Sequence, residues 1–428
     1  MSEFDNSHIT ALTDLINKAV QDVITEYASV GQAVPSLDTL NSGPFTTPDE
    51  TPVQLTRAIQ IIEAACAQLV CTVAPPASVI VNKALRHQEP ACLVVATEAK
   101  IADLLLNKPE GVSASELAAR SGLSTPKLTR LLRFLATRHC FKEVQPRTFA
   151  NNRLSMKLLS SDPISSTVGL LADEGLLASA YLNETLSNPA GEEVDGGVSF
   201  QNAVGSSLFE YYKTDSGLKK GERFSRAMVG WGTVTGKVYP WASLPPNSVI
   251  CDIGGGNGHV IMDLLKVYPH LKLVLQDQPQ VIEMAKKFWK EDYPAGLELR
   301  QVEFVPFDFF KDAAMEGCDI YYIRFVLHDW RDADCQLILK NVRKVMKPGS
   351  RVIIHDTVIR EALQNEELSE ASGDQHFDHG LTTLMDTAPK PLLPNYGVGR
   401  IRSYELDILM MTLLNAQSRT LDEFVTLW

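Results

Sequence analysis

One stretch decides the fold of this chain: Ser248-Val249-Ile250-Cys251-Asp252-Ile253-Gly254-Gly255-Gly256-Asn257-Gly258. Its first six residues are mostly apolar and predict a buried strand, and a helical pattern from His259 to Val267 follows the glycines directly. Glycines let the backbone reach positive φ and approach a ligand closely, while the free N–H groups of the next helix face that ligand. Such turns also simply connect strands to helices, so the glycines alone are weak support for a binding site.

Short apolar strands and helices alternate from Pro246 onward, which is the pattern of a parallel sheet in a doubly wound α/β domain. We predict a second strand over Leu273–Gln276 that ends in Asp277, and a third near Leu299–Phe304. A fourth strand is predicted over Asp319–Ile323. The sequence thus predicts a Rossmann-like domain with several loops at one edge of its sheet.

Polar and aromatic residues follow the second and third strands. Asp277 is placed to accept hydrogen bonds from ribose hydroxyls. Asp308 can bind an adenine amino group while Phe309 packs on the ring. Taken singly, these residues are equally a turn residue, a helix cap and a core residue. Their joint occurrence at the carboxyl ends of successive strands favours a nucleoside cofactor.

The glycine pattern also selects among cofactors. Asp252 precedes the glycines, and the last gap is shorter than in the G-x-G-x-x-G of NAD proteins. This arrangement resembles motif I of class I methyltransferases. Asp252 would repel a pyrophosphate but not a cationic sulfonium, so we predict S-adenosylmethionine as the cofactor.

The fourth strand opens into Arg324-Phe325-Val326-Leu327-His328-Asp329-Trp330, and Lys347-Pro348-Gly349 follows. Together with the glycine turn, Gln276–Pro279 and Asp308-Phe309, these motifs resemble the winged-helix small-molecule O-methyltransferases of plants and of fungal natural-product pathways. The resemblance extends from about Ser78 to Trp428. It implies a Rossmann-like methyltransferase domain preceded by a mostly α-helical winged-helix dimerisation domain, and a homodimer.

The resemblance also implies a role for each matching residue. Cofactor-binding roles fall on Asp252, Gly254, Gly255, Asp277, Asp308, Phe309 and Arg324. His328 matches the general base, and Asp356 matches a carboxylate that orients it. The family's second carboxylate is replaced here by Ser418, which weakens the expectation of full catalysis.

A histidine suits this chemistry. Sulfonium is already a good leaving group, so the enzyme must align a nucleophile and remove its proton. Imidazole, with a pKa near ~6.5, can take a phenol's proton at neutral pH. A lone histidine is more often structural. The motif around His328 reverses that expectation, and we predict methyl transfer to a hydroxyl of a small aromatic secondary metabolite.

Two further groups of residues have alternative interpretations. Met410, Met411 and Asn415 fall on one predicted helix, where they line a substrate pocket or pack in the core. His376-Phe377-Asp378-His379 lies in the acidic, loop-like stretch Glu361–Gly380. Two histidines without strong secondary structure make a poor metal site, so we predict no metal.

The N-terminal half is predicted to be helical. Amphipathic patterns span about residues 8–28 and 55–70, with a linker at Val34–Pro52, and a winged-helix outline covers about Thr97 to Leu154. We therefore predict a dimerisation domain over residues 1–155, a helical connecting region over 156–245 and the catalytic domain over 246–428. The apolar helix faces predict a homodimer through the N-terminal half.

Charge and composition exclude other partners. The helix after Ser124 carries Lys127, Arg130, Arg133 and Arg138 and looks like a DNA recognition helix. The net charge of -12 disfavours nucleic acid and anionic membranes, and a basic helix face is usually just solvated. A DNA-binding regulator is thus the weakest alternative. A stronger one is a family member that uses the cofactor without methyl transfer, as a pericyclase or dehydratase.

The chain has no sequence feature of secretion or membrane insertion. Glu3 and Asp5 stand where a signal peptide would be basic, and no apolar stretch approaches the ~20 residues that cross a bilayer. The seven cysteines are scattered, with no CxxC pair. We predict a cytoplasmic protein in which these cysteines are buried, reduced thiols.

Overall fold

The structure is a computed structural model that describes residues 6–41, 43–46, 51–187, 197–231, 239–362 and 387–428. The N-terminal part is helical, as the apolar periodicity predicts. Its helices are α1 (Ser7–Ser29), α2 (Val53–Val73), α3 (Pro76–Ala84), α4 (Gln88–Glu98), α5 (Ile101–Leu104), α6 (Ala114–Ser121) and α7 (Thr125–Thr137).

A small winged-helix unit forms around α6 and α7. Three short antiparallel strands complete it in the order β1-β3-β2: β1 (Val112–Ser113), β2 (Lys142–Gln145) and β3 (Thr148–Ala150). The hydroxyl of Ser113 caps α6 by accepting a hydrogen bond from the Glu116 N–H at 3.2 Å. Leu117, Leu132 and Phe149 are fully buried in its core. The predicted winged helix is confirmed.

Helices α1, α2 and α3 expose apolar side chains. The helices α1 and α2 pack against each other, but α2 exposes Val70 and Val73, and α3 has no buried residue. Cys66 and Cys71 also lie exposed on α2, so the prediction of buried thiols is wrong for these two. The physical reason is that one chain covers only one face of α2.

A helical region connects the two halves. Its elements are α8 (Pro163–Leu170), a π-helical turn (Leu171–Gly175), α9 (Leu176–Ala180), α10 (Leu182–Leu186), α11 (Ser199–Val204), α12 (Leu208–Tyr211) and α13 (Leu218–Trp231). The Arg223 guanidinium on α13 contacts Glu174 at 2.5 Å, Asp173 at 2.8 Å and Glu98 of α4 at 3.1 Å. This ion-pair cluster ties the connecting region to the N-terminal helices.

The C-terminal part contains a parallel five-stranded sheet in the order β6-β5-β4-β7-β8. Its strands are β4 (Val249–Ile253), β5 (Lys272–Asp277), β6 (Val302–Pro306), β7 (Ile320–Arg324) and β8 (Arg351–His355). Its helices are α14 (His259–Val267), α15 (Pro279–Asp292), α16 (Pro294–Glu298), α17 (Asp332–Arg343), α18 (Ile401–Leu414) and α19 (Leu421–Leu427). The strand order reverses at β4, as in a doubly wound domain.

The core lies on both faces of this sheet. Successive residues of β4 point to opposite faces, so Cys251 joins one buried layer and Ile250 the other. Within the sheet, Ile253 of β4 pairs with Gln276 of β5 and Ile323 of β7. This register aligns the carboxyl ends of the three central strands, which places their loops side by side.

The third strand of this sheet begins later than predicted. We predicted it near Leu299–Phe304, but β6 spans Val302–Pro306. Pro294 opens the short helix α16, for which Leu299 serves as the C-cap, and Arg300 then adopts a positive φ of 51°. The apolar Leu299 therefore ends a helix instead of beginning a strand.

Candidate active site

The glycine turn after β4 has no room for side chains at Gly254, Gly255 and Gly258. Gly254 has a φ of +69°, and a Cβ there would lie 2.9 Å from Val326. A Cβ on Gly255 would lie 2.3 Å from an Asp252 carboxylate oxygen. The Gly254 N–H donates to the Gln276 carbonyl at 2.8 Å. Glycine thus lets the turn sit directly on Asp252 and on the loop after β7.

Asp277 is held against the same turn. Its Oδ2 accepts a hydrogen bond from the Gly256 N–H at 2.8 Å, and its Oδ1 accepts one from the Gln278 N–H at 2.7 Å. Burial raises the pKa of Asp277, and these two N–H donors oppose the shift. Each oxygen retains a second lone pair, so the carboxylate is fixed in place and can still accept a hydrogen bond from a ligand.

Asp252, Arg324 and His259 form a polar cluster beneath the turn. Burial raises the pKa of Asp252 to about 7, although the Arg324 guanidinium lowers it. Burial lowers the pKa of His259 to about 4, so its imidazole is neutral. His259 Nδ1 lies 2.8 Å from the amide oxygen of Asn257 and must donate to it. Its Nε2 is then an acceptor, buried and without a hydrogen-bond partner among the described residues.

Asp308 and Phe309 follow β6 and have different surroundings. Asp308 forms an ion pair with Lys311 at 2.6 Å, which lowers its pKa, and accepts from the Phe310 N–H at 3.0 Å. Phe309 packs edge-on against Trp330, with ring centroids 5.7 Å apart. Its ring would lie 3.7 Å from a Cβ on Gly254. Phe309 therefore borders the glycine turn, while Asp308 is engaged with a surface lysine.

His328 lies in a 3-10 turn, Leu327–Asp329, that follows β7. Its Nδ1 is 2.7 Å from a carboxylate oxygen of Asp356, and its Nε2 is 3.4 Å from one of Asp329. Strand β8 pairs with β7 so that His355 lies opposite Arg324, which brings Asp356 beside the turn. Burial by itself lowers the pKa of His328, but the two carboxylates outweigh it and raise the pKa to about 9.

Asp329 and Phe325 have site contacts that the sequence analysis missed. Burial raises the pKa of Asp329 to about 6, against the influence of His328. Phe325 has a positive φ of 51° and places its ring 5.4 Å from the His328 ring and 4.6 Å from the Arg324 guanidinium. The adjacency of Asp329 to His328 in the sequence was a usable signal. The sequence gives no comparable signal for Phe325.

The three candidate substrate residues, at the end of α18, have different surroundings. Met410 is buried against Leu406 and Ala416 and therefore belongs to the core. Met411 is half-buried on α18, and Asn415 is the half-buried C-cap that ends the helix, with a positive φ of 54°. Ser418, which follows, is buried, and its hydroxyl has no hydrogen-bond partner within the described part of the chain.

An apolar cavity of about 400 Å³ lies beside α18. It is bordered by Leu171 and Leu176 of the connecting region and by Tyr404 and Ile408 of α18. By helical spacing, Met411 continues the side of α18 that carries Tyr404 and Ile408. The helix α18 also contacts the turn that carries His328. The helix α18 therefore contacts both the cavity and the turn, but none of the residues that border the cavity is a candidate site residue.

Other sequence features either have partners elsewhere in the chain or lie outside the described residues. Arg133 of α7 forms an ion pair with Glu143, and Arg138, the C-cap of α7, forms one with Glu89. No group of three potential metal ligands occurs in the part of the chain that the structure describes. No helix of that part is long and apolar enough to cross a membrane. The sequence His376-Phe377-Asp378-His379 lies outside the described residues.

Comparison with known proteins places the chain in a family. Residues 180–377 match an O-methyltransferase domain, and residues 84–161 match an O-methyltransferase dimerisation domain. The chain is 44% identical over 426 residues to 3-O-methyltransferase 2 of Phanerochaete chrysosporium, covering 98% of this chain and 92% of that protein. The chain belongs to the O-methyltransferase family. It is also 31% identical to O-methyltransferase gedA of Aspergillus terreus, over 99% of this chain and 92% of the relative.

Solved structures share the fold of this O-methyltransferase. The mitomycin 7-O-methyltransferase MmcR superposes with a TM-score of 0.62 at 28% identity, covering 82% of this chain and 90% of that one. A pericyclic reaction enzyme has a TM-score of 0.66 at 19% identity, covering 96% and 92%. The LepI complex with SAM has a TM-score of 0.67 at 18% identity, covering the same shares. At such low identity the last two likenesses show the fold alone.

Proposed function

We propose that this O-methyltransferase transfers a methyl group from S-adenosylmethionine to a hydroxyl of a small aromatic acceptor, with His328 as general base and Asp356 as the carboxylate that orients it. The observation that carries the proposal is the buried His328–Asp356 pair, whose Nδ1 and carboxylate oxygen are 2.7 Å apart. His328 lies on the loop after β7, and Val326 of that loop is next to Gly254 of the glycine turn. This arrangement supports a proton acceptor beside the candidate cofactor site.

The residues around the glycine turn fit the proposed cofactor. Its zwitterionic amino-acid part needs a cation for the carboxylate and acceptors for the ammonium, which Arg324, Asp252 and the unpaired Nε2 of His259 offer. Asp277 would bind the ribose hydroxyls and Phe309 the adenine ring, while Gly254 and Gly255 allow close approach. We propose Asp308 for the adenine amino group, which requires exchange of its bond to Lys311.

The cofactor supplies an electrophilic methyl group whose sulfonium is already a good leaving group. This chain's residues must then orient the acceptor and take its proton. Asp356 accepts from Nδ1–H of His328, which leaves Nε2 as the basic atom. The pKa of His328, about 9, is close to the pKa of a phenol, about 10. Transfer of the proton from the phenol to His328 therefore costs little free energy.

The acceptor site is proposed between the 3-10 turn and α18. Met411 and Asn415 would contact the acceptor. Met410 contributes to the packing behind them. Asn415, the half-buried C-cap of α18, is polar, so it would orient a second oxygen of the acceptor.

We further propose that the enzyme works as a homodimer formed by the N-terminal domain, residues 1–155, with 156–245 connecting it to the catalytic domain, 246–428. The exposed apolar residues of α2 and α3, such as Val73 and Ile80, support a second copy as partner. The match to a dimerisation domain supports it as well.

One observation favours a second candidate function. Ser418 stands where the family has a second carboxylate, which fits a cofactor-assisted rearrangement or dehydration without methyl transfer. The deciding experiment incubates the purified enzyme with S-adenosylmethionine and a panel of hydroxylated aromatic compounds, followed by mass analysis. A methylated product with an equal amount of S-adenosylhomocysteine supports the proposal. An isomerised or dehydrated product without S-adenosylhomocysteine supports the alternative.

A further inference from the structure

Arg419 is a fully buried arginine outside the residues assigned so far. It lies between α18 and α19, and its side chain is 0% exposed. Its Nη1 donates to the Leu327 carbonyl at 2.8 Å, and its Nη2 donates to the Trp330 carbonyl at 2.8 Å. Its Nε and Nη2 also donate to the Asp332 carboxylate at 3.0 and 2.8 Å. Every nitrogen of the guanidinium therefore has a partner.

The two carbonyls flank the candidate base. Leu327 immediately precedes His328, and Trp330 immediately follows Asp329. Arg419 therefore donates hydrogen bonds to the backbone on both sides of the His328–Asp329 pair. The Asp332 carboxylate anchors the far side of the guanidinium at the start of α17. The result is a backbone turn that cannot open without breaking buried hydrogen bonds.

Burying the positive charge of Arg419 costs free energy of desolvation, which indicates that the residue has a specific function. A buried ion pair is often no more stabilising than an apolar replacement, so stability alone does not explain it. The Asp332 side chain is 62% exposed, and the arginine is fully buried, so most of the desolvation falls on Arg419. Only the planar guanidinium can reach two carbonyls and a carboxylate at once, because a lysine ammonium lacks that fork.

The charge of Arg419 also acts on the base. Two carboxylates, those of Asp329 and Asp356, face the imidazole of His328. The Arg419 guanidinium opposes them and lowers the pKa of His328. Without it, the imidazole would hold its proton more tightly and would be available as a base only at higher pH.

We propose that Arg419 is a positioning residue for methyl transfer: it clamps the turn that aims His328 at the acceptor hydroxyl, and its charge opposes that of Asp329 and Asp356. The inference rests on the proposed role of His328 as general base. It assigns no contact between Arg419 and cofactor or acceptor, so its loss should affect turnover and not cofactor affinity.

Two variants separate the clamp from the charge. Arg419→Met removes both, and Arg419→Lys keeps the charge but loses the fork. Arg343→Met is the matched control, because Arg343 is an exposed arginine on α17 whose guanidinium stacks on Trp428. Each variant is assayed with S-adenosylmethionine and the phenol of the panel that is methylated fastest. Calorimetry gives the cofactor Kd, and pH-rate profiles give kcat and KM.

We expect Arg419→Met and Arg419→Lys to lower kcat by roughly 100-fold, the cost of a misplaced catalytic group, with cofactor Kd within about threefold. The rising limb of the pH profile should move to higher pH in Arg419→Met and stay in place in Arg419→Lys. Arg343→Met should match the wild type in all readouts. If Arg419→Met does not fold, Asp332→Asn serves instead: it weakens the anchor and should lower kcat by roughly tenfold with unchanged cofactor Kd.

Three outcomes would overturn the inference. The first is a kcat in both arginine variants equal to that of Arg343→Met, and the second is a parallel loss of kcat and cofactor affinity with an unmoved pH profile, which marks a merely structural residue. The third applies where only Asp332→Asn can be measured, and it is a wild-type kcat in that variant. The proposed function fails separately. Wild-type turnover in His328→Ala would refute the base itself, whereas an inactive His328→Ala beside a normal Arg419→Met would refute only the role of Arg419.

Discussion

The carboxylate of Asp329 controls how readily His328 gives up its proton. Its oxygen lies 3.4 Å from Nε2, the ring nitrogen that would act as base. An opposite charge at this distance shifts a pKa by about 1 to 3 units. Asp329→Asn keeps the shape but removes the charge, so it should lower the pKa of His328 from about 9 to between about 6 and 8.

The sign follows from the role of a base. His328 must be unprotonated to accept a proton, so kcat/KM rises with pH and levels off above the pKa of His328. With a pKa of about 9, about 1% of the wild-type enzyme is active at pH 7. In Asp329→Asn that share should be roughly 10 to 90%, so kcat/KM at pH 7, relative to each enzyme's own plateau, increases by about one to two orders of magnitude.

The assay is a pH series of initial rates with one phenolic acceptor for all enzymes, so that ionisation of the acceptor cancels in the comparison. Asp263→Asn is the control, because Asp263 is an exposed residue of α14 that pairs with Lys266 on the same helix. Its profile should coincide with that of the wild type. If the rising limb of the pH profile lies at the same pH in Asp329→Asn and in the wild type, Asp329 does not raise the pKa of His328 and the account is refuted.

Three further predictions concern binding, stability and assembly. Asp277→Ala should weaken S-adenosylmethionine binding by roughly 5- to 150-fold in calorimetry, because a ribose hydroxyl loses its acceptor in a closed site; an unchanged Kd contradicts that assignment. Arg223→Met should lower the free energy of unfolding by about 3 kcal/mol in denaturant titrations, because Glu174 remains buried without its main partner; an effect below about 1 kcal/mol contradicts it. Light scattering at micromolar concentration should give twice the mass of one chain, since the apolar residues exposed on α2 and α3 need a cover; a monomer contradicts the proposed dimer.

The fold was predictable where glycine residues in the sequence mark the start of a helix. The helix His259–Val267 has the predicted bounds, because the glycines before it mark where it begins. Apolar character alone was insufficient at Leu299. There the proline at 294 begins a helix locally, and a residue that suits a strand caps that helix.

The positions of site residues were predictable only where the pairing of strands brings those residues together. Asp356 lies beside His328 because β8 pairs with β7 in register, and any sequence analysis that finds both strands can place it. Arg419 reaches the same turn from a distant loop, and no periodicity encodes that contact. Likewise, the separation of Met410 from Met411 follows from how α18 is rotated, which depends on tertiary packing. The exposure of Cys66 depends on whether a second chain is present.

The most direct test of the central claim compares His328→Ala with the wild type in two measurements on the same preparations. The account predicts that turnover of the best phenolic acceptor falls by at least about 100-fold, because the imidazole is the proposed proton acceptor, while the Kd of S-adenosylmethionine changes less than about threefold. Turnover at the wild-type level would contradict the account, since the proton would then be taken by another group or would already be absent from the acceptor.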